Sequence, residues 1–217
     1  MNRLEYANIN RQRYLDWADS IANTPCTAGA LLEFAVISAH TPMSVAIAGW
    51  RAVQEYVVVS DVANALYRAG VIAPFNKAAS ICQIRDDQPM PSYPFAEYRR
   101  QEKLPGLGIC KLSFGCCLIA PLDSDIVCLD THILQTYLER QPTQREVNRI
   151  YTRLPLYEYI ENKLTSEAAE IGLPSFPYQW AVWDWKRARI DHKPPLNHSF
   201  LWQNPSDYQL PLFSSQS

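Results

Sequence analysis

A chain of 217 residues, 47% apolar and 19% charged, is long enough for one core or two small units sharing a core, and too apolar to be disordered throughout. Its 20 basic and 22 acidic side chains leave a net charge of −2, which excludes nucleic-acid binding through bulk positive charge and allows only a local basic groove. Few glycines (7), many prolines (16) and scarce alternating runs favour helices joined by proline-marked turns.

The six cysteines (Cys26, Cys82, Cys110, Cys116, Cys117 and Cys128) form no C-x-x-C pair and no metal-ligand spacing. The amino terminus is polar and no apolar run is long enough to span a bilayer. The expectation is therefore a cytosolic protein with reduced, buried thiols.

In chain order, residues 1–25 read as one polar helix. Thr27 is a plausible N-cap for the apolar run that Pro42 ends. A second helix follows from Met43, although its "YVVVS" end would suit a strand. Asp61 reads as the next N-cap, with a break over Gly70–Pro74 and a helix from about Asn76. "DDQPMPSYP" is a loop and "FAEYRRQEK" a short helix. "ICKLSFGCCLIA" resumes helical spacing until "PLDSD" breaks it. Asp130 opens "DTHILQTYLER", and Thr143 with Glu146 forms a capping box for the next helix. Two more helices run through "YEYIENKLTSEAAEIG" and "PYQWAVWDWKRARI". A Pro-, Asn- and Ser-rich tail begins near Asp191. The fold class expected is all-α.

Between two of these helices stands "LPGLGICKLSF", residues 104–114. Its glycines permit a tight turn and close approach of another backbone, and the amides opening the second helix suit a phosphate. A nucleotide P-loop is excluded: Gly106 and Gly108 are too close, Lys111 precedes Leu112, and the preceding segment is helical. What remains is a helix-hairpin-helix gripping a nucleic-acid backbone, or an ordinary helix–helix turn.

Nineteen residues after Lys111 comes "CLDTHI" with Asp130. Together, "LPGLG…CLDTH" resembles the helix-hairpin-helix DNA glycosylase superfamily, the group of endonuclease III. Upstream, "LLEFAVISAHTPMSVAIAGWRAV" is similar to the family's early helix pair, with His40 at a glutamine position. "AGVIAPFNKAASICQI" is similar to its G-x-Y-x-x-K-A helix start through Phe75, Lys77 and Ala78. The likeness spans roughly residues 27–140.

This resemblance implies two helical subdomains flanking a DNA-binding cleft: a six-helix region at 27–135, and a second unit from 1–26 plus 136–192. It implies a DNA-repair enzyme that flips a base and hydrolyses its N-glycosidic bond, with Asp130 as the catalytic carboxylate. Leu104, Pro105, Gly106, Leu107, Gly108, Lys111, His40 and Lys77 would meet double-stranded DNA, His40 filling the gap left by the flipped base. Asp123 and Asp125 are lesser carboxylate candidates, read as loop residues.

The chain departs from the family at the lyase lysine, two residues after the last hairpin glycine: here that residue is Cys110. Lys111 comes one later, about 100° around the helix. Lys111 could be a Schiff-base nucleophile, a phosphate contact or a surface cation, with Cys110 a small residue facing the pocket. The phosphate contact is favoured, and with it a monofunctional enzyme. No cysteine follows Cys128, so the family's iron–sulfur cluster is not expected, nor any other cofactor. Trp180 and Trp183 read as packing residues. Asp184, Lys186, Arg187 and Arg189 fit a basic DNA-facing helix end or a dipole-complementing one equally well.

Within the tail expected to be flexible (193–217), Gln209, Leu210, Leu212 and Phe213 of "QLPLF" resemble the bacterial sliding-clamp-binding pentapeptide, which makes that clamp a second expected partner. The setting expected is the nucleoid of a bacterial or phage-infected cell. Two rival readings keep the scaffold: a non-catalytic DNA-binding protein, and an enzyme that modifies phage bases without excising them.

Overall fold

The computed structural model describes residues 1–24 and 26–189, and the pentapeptide at 209–213 lies outside them. The described residues form twelve helices and no strand, and none of the helices is long and apolar enough to cross a membrane.

The single helix expected over 1–25 is two, α1 (Arg3–Ile9) and α2 (Arg11–Ala22). Asn10 breaks it: its side-chain amide donates to the Tyr6 carbonyl at 2.8 Å, competing with the backbone ladder. In α3 (Ala28–Ile37) the Thr27 hydroxyl accepts from the Ala30 amide at 3.2 Å, and every residue from Leu31 to Ile37 is buried. α4 (Met43–Ala52) ends before the valine run, which stays exposed and leads into the next helix instead of forming a strand. α5 (Val59–Arg68) starts two residues ahead of Asp61, so Asp61 is not the N-cap. It stands in the first turn, where the helix dipole still favours its charge. α6 (Pro74–Asp87) begins at the proline, whose missing N–H is no loss at a helix start.

α7 (Phe95–Gln101) and α8 (Ile109–Ile119) form the hairpin. α8 is buried from Leu112 to Leu118 and packs on α2, α3, α7 and α10. A side chain on Gly115 would stand 2.8 Å from Leu32, so α3 and α8 meet nearly backbone to backbone. On one side of α8, α3 contacts α4 and α6, and α5 joins α4 to α6. On the other, α1, α2, α9 (Thr131–Leu138) and α11 (Leu154–Glu170) surround α12 (Ser175–Arg189), and α10 (Gln144–Thr152) rests on α11.

α12 earns its place by packing. Trp180 is buried 5.0 Å from the Trp17 ring, and Trp183 stacks edge-on against His132 at 5.6 Å. Asp184 accepts from the Tyr14 hydroxyl at 2.9 Å inside the core. Lys186 is buried with its ammonium 3.2 Å from His132 Nδ1, and Arg187 lies over the Trp183 ring. Of the basic helix end read from the sequence, Lys186 is internal beneath α9, Arg187 is half-buried and Arg189 is exposed.

Candidate active site and nucleic-acid interface

The hairpin turn is closed by the Leu107 amide, which donates to the Leu104 carbonyl at 3.1 Å. Gly106 has φ +72°, and a Cβ there would stand 2.6 Å from Ser80 Oγ on α6 and 3.5 Å from Val36 on α3. Both conformation and space demand glycine. Gly108 is different: it is the N-cap of α8 with φ −75°, and a Cβ would meet nothing within 4 Å. Nothing in the fold demands glycine at 108. It caps α8 with no side chain, so the first amides of that helix stay open to an outside acceptor. Asp125 has a job elsewhere, accepting from the Phe95 and Ala96 amides at 2.9 and 3.1 Å to cap α7. Asp123 is exposed.

Residues 126–129 run as a buried segment with no strand beside it, and side chains do what a sheet would do. The Val127 amide donates to Glu161 at 2.9 Å, the Cys128 amide to Gln179 at 2.7 Å and the Leu129 amide to the Tyr157 hydroxyl at 2.8 Å. Tyr157 in turn donates to the Val127 carbonyl, and Tyr151 to the Leu129 carbonyl, each at 2.8 Å. This clamp delivers Asp130 to the start of α9. There its Oδ1 accepts from the Ile133 amide at 2.8 Å, while Oδ2 has no hydrogen bond among the described residues. The N-cap role read from the sequence is real, and it occupies only half the carboxylate.

Cys110, in the first turn of α8, is buried with its sulfur 3.5 Å from Cys128 Sγ and 3.5 Å from the Leu129 carbonyl. The hydrogen bond between the two thiols pulls Cys110 below the ordinary thiol range and pushes Cys128 well above it. The charges of Lys111 and Asp130 both reach the Cys110 thiol. Lys111 turns away towards α3: its ammonium donates to Ser38 Oγ at 3.0 Å and lies 5.1 Å from the Phe114 ring centroid.

His40 is exposed on the α3–α4 turn with φ +56°, a left-handed conformation uncommon for a side chain of its size. The same turn corrects the expectation for Lys77. That ammonium is buried and donates to the Ile37 carbonyl (2.8 Å), the Ala39 carbonyl (2.6 Å) and Thr41 Oγ1 (2.8 Å), so it serves the end of α3 and is not presented to a phosphate. Burial, with the Lys111 charge adding to it, lowers Lys77 to about 8. Ile72 on the neighbouring α5–α6 connection and Phe75 in the first turn of α6 are both exposed, and the Ile72 amide donates weakly to Thr41 Oγ1 at 3.4 Å.

The structure thus gathers Gly106, Gly108, Cys110, Lys111 and Asp130 around the start of α8, with His40 on the adjoining turn. The clamp residues Tyr151, Tyr157, Glu161 and Gln179 escaped sequence reasoning, since their partners lie 22 to 51 positions away. The short apolar run "IVCL" between two helix signals is the one local sign that something must hold it.

No protein-family model and no curated protein matches the sequence. Among known structures, the chain is similar to Tm1821, the 8-oxoguanine DNA glycosylase of Thermotoga maritima, with a TM-score of 0.63 and 16% identity over 86% of this chain and 95% of that one. The fold is that of the helix-hairpin-helix DNA glycosylases.

Proposed function

We propose that this protein is a monofunctional DNA glycosylase that uses Asp130 to hydrolyse the N-glycosidic bond of a flipped nucleotide. The observation that carries the reading is Asp130 itself. One oxygen is fixed by the Ile133 amide, the other is uncommitted, and the residue stands at the end of a rigidly held segment beside the open start of α8.

In this reading the amides of the hairpin turn and of the first turn of α8 hold a phosphate, and the bare Gly108 lets the DNA backbone come close. His40, with Ile72 and Phe75 beside it, fills the gap in the stack, as exposed apolar and planar side chains do when a base leaves it. As the bond to the base breaks, positive charge builds on the deoxyribose. The free Asp130 oxygen stabilises it and orients the water that adds to C1′, while the departing base takes up a proton. Cys110 stands where lyase-competent relatives of the fold carry lysine, and Lys111 is held against Ser38, which supports hydrolysis without a Schiff base.

The test is incubation of the protein and its Asp130→Asn variant with duplexes carrying one altered base each. The panel starts with 8-oxoguanine, on which the Thermotoga maritima protein acts, and continues through uracil and alkylated or mismatched bases. Single-turnover release is expected to fall about 10²- to 10⁴-fold in the variant, with duplex affinity retained and strand cleavage dependent on alkali. Covalent trapping by borohydride would return the nucleophile's role to Lys111. Duplex binding without release of any base would favour the non-catalytic reading.

A further inference from the structure

Helix α10 carries a basic face that base excision at Asp130 does not use. Arg145 and Arg149 stand one turn apart on α10, Arg153 is the extended residue that caps its end, and all three are exposed. With Asn148, Thr152 and Glu146 they line an open groove of about 540 Å³. The arrangement works against the helix. Like charges four apart repel, and Arg145 sits in the first turn, where the dipole disfavours a cation. The groove's carboxylate offers no relief. Glu146 is engaged by Arg140 and by the amide and hydroxyl of Thr143 at 2.8 and 2.9 Å, which together hold it ionised down to about 2. Among the described residues none of the three guanidinium groups has a hydrogen-bond or ion-pair partner.

The opposite side of α10 is fixed beside the candidate catalytic residue. Val147 and Ile150 are buried, α10 packs on α8, and Tyr151 donates to the carbonyl of Leu129, one residue before Asp130. The arginine face therefore lies about one helix diameter, roughly 10–12 Å, beyond that contact. Along one DNA strand this is about three nucleotides. Guanidinium forks match phosphate oxygens, and Asn148 and Thr152 add neutral donors of the kind that hold a backbone without reading sequence.

We infer that Arg145, Arg149 and Arg153 bind the phosphodiester backbone of duplex DNA a few nucleotides outside the hairpin's grip, an inference that rests on the DNA reading above. A chain of net charge −2 has to concentrate its cations to hold a duplex, and this face does so.

The test compares the full chain with R145Q/R149Q/R153Q by measuring Kd against salt concentration on duplexes of about 10 and about 30 base pairs centred on the substrate base. On the long duplex the variant is expected to bind more weakly, with a log–log salt slope shallower by about 2 to 3, because each phosphate contact contributes about 0.9. The short duplex ends about five base pairs from the substrate base and still reaches the face, so a shallower slope is expected there too. Equal slopes on the long duplex, with wild type binding it and releasing base, would overturn this inference alone. A wild type that binds neither duplex would overturn it together with the glycosylase reading.

Discussion

Gly106 and Gly108 are two letters apart and carry different obligations. At Gly106, alanine meets both a left-handed backbone and Ser80 at 2.6 Å, so Gly106→Ala is expected to destabilise the protein by about 1–3 kcal/mol in urea titration. At Gly108 the backbone is ordinary and the space open, so Gly108→Ala is expected to change stability by less than about 0.5 kcal/mol while weakening duplex binding. Unchanged affinity in a well-folded Gly108→Ala protein would mean that no backbone approaches there. Lys77 teaches the converse lesson. In the sequence it stands in a run that resembles a G-x-Y-x-x-K-A helix start. In the fold its three acceptors come from residues 36 to 40 positions earlier, and burial turns a surface cation into an internal strut. The hairpin, the Asp130 N-cap and the Thr143–Glu146 capping box were legible because each is written within a few consecutive residues. The fate of Lys77, and of Lys186 beneath α9, was not, because burial is decided by elements that no local spacing names.

Among the elements, the segment 126–129 has the most unusual construction. Its polar backbone groups are matched to side chains of α10, α11 and α12 and not to another strand. The sequence announces the loop and the helix on either side of it but not this dependence, since a tyrosine or glutamine on a helix gives no sign of what it will hold. Tyr157→Phe removes the acceptor of the Leu129 amide and the donor to the Val127 carbonyl in one step. It is expected to cost about 1–3 kcal/mol of stability, read from thermal or urea unfolding. Base release is expected to drop more than duplex affinity, because the hairpin itself is untouched. Equal loss of both would show that the clamp supports the molecule generally and not Asp130 in particular.

At the scale of the whole molecule, one buried carboxylate joins the two halves of the proposed mechanism. Glu161 forms a two-pronged pair with Arg99 of the hairpin's first helix, at 2.8 and 2.7 Å, and also accepts from the Val127 amide. Arg99 meanwhile donates to Ser113 of α8 and lies over the Tyr157 ring. Glu161→Gln keeps the acceptor for Val127 but leaves the buried guanidinium only the longer ion pair with Glu158 at 3.7 Å, with an expected loss of about 3–5 kcal/mol. Here affinity for duplex and rate of base release are expected to fall together, in contrast to Tyr157→Phe. A variant that lost one and kept the other would show that hairpin and catalytic segment are not coupled through this pair.

The side-chain clamp also sets an order of events during synthesis. The hairpin's residues and Asp130 leave the ribosome well before Gln179, which stands 51 positions after the Cys128 amide it accepts from. At about 5–20 residues per second, that interval is about 3 to 10 s. Late in it the nascent chain has the hairpin and the tyrosine and glutamate contacts of the clamp, but not the Gln179 contact that completes it. Translation thus delivers the proposed backbone grip before the last contact that steadies Asp130.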